Sequence, residues 1–198
     1  MSIHLEPVYL ANVLLFVDHS KSIKAIPFVS KNCLEATLTL KMNPTAFSKS
    51  PQKILKYFPN INTMVVRDFW CLEETNSLPD TVTGIVIGRM SYSYTINKLQ
   101  FADRIVAIEG IATGYDHANF ERFPRLERLT LRNVPGHVTL PRHKLKHLTL
   151  CGYELQSVDL FSSFPPECAE HIVLVVHSQK AFSAAKSRQL LPHVHVFC

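Results

Sequence analysis

A short pattern, apolar-x-x-apolar-x-apolar, recurs through most of this 198-residue chain. It fits at Ile61, Met64, Val66; at Val82, Ile85, Ile87; at Leu126, Leu129, Leu131; and at Leu145, Leu148, Leu150. Two poorer copies fill the gaps: Ile105 and Ile108 with Gly110 in the third slot, and Ala169, Ile172 and Leu174. The copies start at 61, 82, 105, 126, 145 and 169, in steps of 21, 23, 21, 19 and 24 residues. A unit this short cannot bury its own apolar side and must stack on its neighbours, so a period in this range points to a solenoid. Phe58-Pro59, Leu78-Pro79, Phe123-Pro124 and Phe164-Pro165 precede strands of the pattern. There the proline ring fixes φ as the chain turns, and the apolar residue before it is expected to fill the core.

LERLTL at 126–131 and LKHLTL at 145–150 carry the LxxLxL signature, and residues 58–198 resemble the leucine-rich repeat family. The resemblance implies an α/β fold: a short, curved solenoid of about six parallel strands, preceded by a small helical cap. The Asn or Cys that the family places three residues after the last Leu is replaced here by Phe69, Met90, Thr113, Val134, Tyr153 and His177. After Leu150 a rival fit, Leu155, Val158, Leu160, reads either as a second strand or as one helical turn capped by Ser157. A non-repetitive mixed α/β domain is the alternative architecture.

Residues 1–57 lack the beat and form the expected first domain, with 58–198 as the second. Pro7 suits the first position of a helix through Leu10, Val13, Leu14 and Val17, broken by Asp18 and Ser20 before a second helix near Lys21 to Ala25. Pro27 interrupts; Ser30 to Lys41 reads as a third helix, and Ser48 to Ser50 cap a fourth from Pro51 to Tyr57. The apolar first helix, the Asp-bearing break and Val29-Ser30-Lys31 opening the next helix resemble an F-box. That resemblance implies docking to a ubiquitin-ligase adaptor through residues 5–41. The usual Leu-Pro start reads Leu5-Glu6-Pro7, and Cys33 stands where an aromatic is common. The layout also resembles leucine-rich repeat proteins expanded in some protozoa, in which a helical leader precedes degenerate repeats. The other reading is a cap that shields the first repeat, burying Leu5, Val8 and Val29 where an adaptor would expose them.

A net charge of +5, from 21 Lys and Arg against 16 Asp and Glu, is spread without dense basic runs and favours acidic partners. Aromatics do not interleave with the basic residues of the concave strand rows, so nucleic-acid binding is not expected. The apolar run Val8 to Val17 follows Glu6 and Pro7 and is too short to span a bilayer. Five widely spaced cysteines (Cys33, Cys71, Cys151, Cys168, Cys198) without a CxxC pair fit a reducing compartment, and a cytoplasmic location is expected.

His193 and His195 alternate as two metal ligands do, but only Cys198 lies near, and a terminal strand with surface histidines is the simpler reading. His117 beside Asp116, and Cys151 or Cys168 with distant histidines, come without a strained turn or glycine-rich anion cradle. No catalytic residue, metal or cofactor is expected, and the chain reads as a binding module rather than an enzyme.

If the template residues face the core, the residues between and after them face the concave side. The central row is Val65, Val86, Glu109, Thr130, Thr149 and Val173, flanked by Arg67, Arg128, Arg132, His147, Cys151 and His171. Arg67, Val86, Arg128, Thr130, Arg132, His147 and Thr149 are the candidate partner-binding residues, with Arg128, Arg132 and His147 expected near one another.

Overall fold

The computed structural model describes residues 6–47, 50–68, 72, 75–89, 100–112, 117–132, 137–152, 164–176 and 194–197. The chain packs as two compact units, Met1–Gly88 and Arg89–Cys198. Its long strands form a parallel β-solenoid of about four turns, preceded by helices.

In the first unit the helices are α1 (Pro7–Leu15), α2 (Ser20–Ala25), α3 (Lys31–Thr39) and α4 (Pro51–Tyr57), with a 3₁₀ turn at Ile26–Phe28 where Pro27 interrupts. Pro7 and Pro51 both stand at the start of a helix, where a missing N–H costs nothing. Ser30 caps α3 by accepting a hydrogen bond from the Cys33 N–H at 3.2 Å. Ser50 occupies the corresponding place before α4 but its side chain makes no such bond, and Ser48 lies outside the described residues. The helices are followed by β1 (Thr63–Asp68) and β2 (Gly84–Arg89), which are sheet neighbours. Phe47 lies in the core between Tyr57 and Phe58, edge-on to both at 5.0 and 5.2 Å.

The leader does more than precede β1. The Lys41 carbonyl accepts from the Asn62 and Thr63 N–H groups at 2.9 and 3.0 Å, and Met42 forms a parallel bridge with Thr63. Asn43 is fully buried; its Oδ1 accepts from the Val65 N–H at 2.8 Å while its Nδ2 donates to the Val65 carbonyl at 2.9 Å. An asparagine side chain carries a donor and an acceptor side by side, as a peptide unit does. It therefore continues the ladder along a strand edge that would otherwise be open to other chains.

The second unit carries the long strands β3 (Ile105–Ala112), β5 (Arg128–Arg132), β7 (Leu145–Gly152), β8 (Ala169–Val176) and β9 (Val194–Phe197), all parallel in that order. Short strands β4 (His117–Asn119) and β6 (His137–Thr139) pair in a second, two-stranded sheet, so successive coils carry a long and a short strand. Leu129, Leu148, Ile172 and Val194 stand in one row, and Leu131, Leu150, Leu174 and Val196 in another.

Every apolar residue of the six template copies is buried, from Ile61 to Leu174. Phe58, Leu78, Phe123 and Phe164 are buried while the prolines after them are exposed, as expected of turns that anchor an apolar side chain. The glycine in the third slot has a local cause. Between Ile108 and Ile111 the register against β5 shifts, and Gly110 has φ of 76°. One residue is inserted as a bulge, glycine accepts the left-handed backbone without a Cβ clash, and Ile111 takes the place opposite Leu131. The residues of the Asn/Cys slot, and the rival fit at 155–160, lie outside the described residues.

Candidate binding surface

The alternation of the second unit's strands leaves one side of its sheet open. On β5 the burial runs exposed, buried, half-buried, buried, exposed from Arg128 to Arg132, because Leu129 and Leu131 point inward and the residues between them cannot. Parallel register then converts each position into a row. Arg128 stands opposite His147 and His147 opposite His171; Thr130, Thr149 and Val173 form the next row, followed by Arg132, Cys151 and Val175. All three members of the Arg128 row are exposed, and the threonine row is half-buried. The imidazoles of His147 and His171 stack, with ring centres 5.2 Å apart and planes 18° from parallel.

Of the seven candidate residues, Arg128, Thr130, Arg132, His147 and Thr149 lie on this surface. Arg132 is not beside His147, however: it stands four residues beyond Arg128, about 13 Å along the strand at the usual rise, and opposite Cys151. Arg67 is exposed on β1 of the first unit. Val86, on β2, is buried with only 5% of its surface accessible, as is Val65. Val86 therefore cannot serve as a contact residue as it stands; the centres of β1 and β2 are buried at successive residues, Met64 to Val66 and Ile85 to Ile87.

Two thiols of the second unit are shifted away from the thiolate form. Burial, with help from Glu167, pushes the Cys168 thiol up to about 11, and burial also raises Cys151 against the opposing pull of Arg132. His195 is exposed on β9, whereas His193, Cys198 and Asp116 lie outside the described residues. Among the described residues no three His, Cys, Asp or Glu side chains converge as metal ligands. No helix among them is long and apolar enough to cross a membrane.

A second surface lies on the leader. Val8 is 58% and Val29 71% exposed, and Phe16 and Phe28 are each 86% exposed, while Tyr9 and Val13 are also accessible. The helix that the sequence carried through Leu10, Val13, Leu14 and Val17 ends at Leu15, before Val17; Leu14 is buried, Leu10 half-buried and Val13 exposed. Beside it, Pro7, Val8, Ala11, Leu15, Leu40 and Met42 line most of a groove of about 650 Å³, with the carboxylates of Glu6 and Glu35 in its wall. Leu5 lies outside the described residues. Sequence reasoning passed over Phe16 and Phe28; their signal was position, one just past a helix end and one just after Pro27, where neither continues an apolar face.

No protein-family model, no curated protein and no solved structure matches this chain.

Proposed function

We propose that the chain is a non-enzymatic protein-interaction module of the leucine-rich-repeat kind, holding a partner polypeptide on the open face of the second unit's sheet. The register carries this reading: it gathers Arg128, His147 and His171 in one exposed row beside the half-buried Thr130, Thr149 and Val173. A guanidinium and two imidazoles aligned on a shallow floor of small and β-branched side chains suit an acidic polypeptide, and arginine is favoured at binding hot spots. Replacing Arg128 and Arg132 with glutamate is the test. Folding, followed by circular dichroism, should be nearly unchanged, while an acidic partner and the salt dependence of its capture should be lost. A double variant that retrieves the same partners as the wild type overturns the reading.

A second reading, docking of the leader to a ubiquitin-ligase adaptor, is favoured by the exposure of Val8 and Val29, the residues a simple cap would bury. The leader has room for both roles, since Lys41 to Asn43 cover the β1 edge and the apolar side chains of α1 and the 3₁₀ turn stay open. Changing Val8, Phe16, Phe28 and Val29 to serine should abolish binding of a purified ligase adaptor subunit, measured by calorimetry, without lowering the melting temperature. Absence of binding by the wild-type protein sinks this reading and leaves the first one standing.

A further inference from the structure

We propose that Arg128, His147 and His171 act as one anion-binding strip for an acidic α-helix laid across the strands, with the two imidazoles taking up protons as the helix docks. This rests on the reading that the open sheet face is the binding surface, and adds the shape of the partner and the control by pH.

The charges around the strip single it out. One position earlier on the same strands, Glu127 pairs with Lys146 at 2.9 Å, and the register sets Glu170 on the far side of Lys146, so that row alternates in sign and carries its own acids. The Arg128 row contains no acid. Its other titratable neighbours are Glu109, exposed on β3 in the bulge opposite Thr130, Arg132 and Cys151 further along β5 and β7, and His195 on β9, in register with Val173. A ligand anion therefore meets cations or neutral imidazoles at all three positions.

Spacing selects the partner's conformation. Adjacent strands lie about 4.8 Å apart, so the three side chains fall at about 0, 4.8 and 9.6 Å across the sheet. Carboxylates at i, i+3 and i+7 of an α-helix fall at about 0, 4.5 and 10.5 Å along its axis, within about 1 Å of each. Same-side residues of an extended peptide recur about every 6.7 Å and are out of step by almost 4 Å at the third position. The shallow row of Thr130, Thr149 and Val173 provides the floor on which the next stripe of such a helix rests.

The proton linkage follows from the stack. Two imidazoles face to face at 5.2 Å repel when both are charged. Carboxylates set against their edges offset that repulsion, so binding and protonation assist one another in the range from pH 5 to 8 where imidazoles change charge.

The test uses the full chain and a fluorescein-labelled, alanine-rich helical peptide with glutamates at i, i+3 and i+7. The controls are a peptide of the same composition held extended by prolines, and a 12-nucleotide single strand. Fluorescence anisotropy is read from pH 8 to pH 6 at constant ionic strength. The helical peptide should bind tightest, with Kd falling on the order of tenfold per pH unit for each fully linked proton. His171→Gln should reduce the slope, and the His147→Gln/His171→Gln double variant should remove it while still binding at pH 8. If Arg128→Glu/Arg132→Glu binds the helix as the wild type does, the sheet face itself is not the binding surface. If that variant loses binding but the double glutamine variant keeps the wild-type pH slope, the proton linkage alone is wrong. Tighter binding of the extended peptide or the single strand overturns the helical partner.

Discussion

Replacing Asn43 with leucine tests how the leader seals the edge of β1. The two side chains are close in size, so the main change is the loss of one acceptor 2.8 Å from the Val65 N–H and one donor 2.9 Å from the Val65 carbonyl. Asn43 is fully buried and Val65 nearly so, which leaves water little access to either stranded group. A buried unpaired backbone group costs about 1–3 kcal/mol, and part of this is offset because the asparagine amide no longer has to be desolvated. A net loss of about 2–4 kcal/mol follows, a large share of the 5–15 kcal/mol typical of a folded domain. Urea unfolding followed by circular dichroism should show a lower midpoint with an unchanged slope. Asn60→Ala is the comparison, since Asn60 also donates to a backbone carbonyl, that of Leu38 at 2.8 Å, but at an exposed site, where the loss should stay below about 1 kcal/mol. A leucine variant no less stable than the Asn60 variant refutes the edge-sealing role. Asn43→Asp adds a check by pH. Burial raises the new carboxyl above its unfolded value, so its contribution is most favourable at low pH, where the protonated acid can donate to the Val65 carbonyl, and is lost as pH rises.

Leu129→Asp or Leu148→Asp should unfold the second unit, because an unpaired carboxylate at a fully buried row costs several kcal/mol, whereas Thr130→Asp, half-exposed, should leave the circular dichroism spectrum unchanged. Equal damage from all three would mean the strand register is wrong. Deleting residues 1–57 removes Lys41 to Asn43 from the β1 edge and should yield a fragment that aggregates in size-exclusion chromatography; a soluble, cooperatively melting fragment would argue that the leader is only tethered. The Cys168 thiol, held up to about 11 against an ordinary value near 9.0, keeps its proton in the folded state after the unfolded chain has lost it. Its contribution is therefore complete below pH 9 and declines between pH 9 and 11, so urea midpoints of wild type and Cys168→Ala should converge across that window.

The repeat was legible because it is written in local alternation: a residue such as Leu129 or Leu148 must face inward wherever its strand stacks, and the period tells which strands stack. Helix starts at Pro7, Ser30 and Pro51 were legible for the same reason, being properties of a few neighbouring bonds. What lies against the other side of each strand depends on distant chain, and there sequence alone fell short. It treated Val65 and Val86 as the same kind of surface as Thr130 and Thr149, yet only the second pair is accessible. It read Gly110 as a defect in the pattern, although an inserted residue there keeps Ile111 in register with Leu131. It counted the apolar residues of α1 without knowing that Leu14 alone among them is fully buried while Val8, Tyr9 and Val13 stay exposed, and it had no means of seeing Asn43 reach Val65 across 22 positions. Period and propensity are summed over neighbours in the chain, so the sequence by itself determined a stacked, parallel solenoid behind a helical leader. Which faces stay open, and which basic side chains meet in one row, is decided by contacts between residues far apart in the chain, and only the tertiary structure contains those.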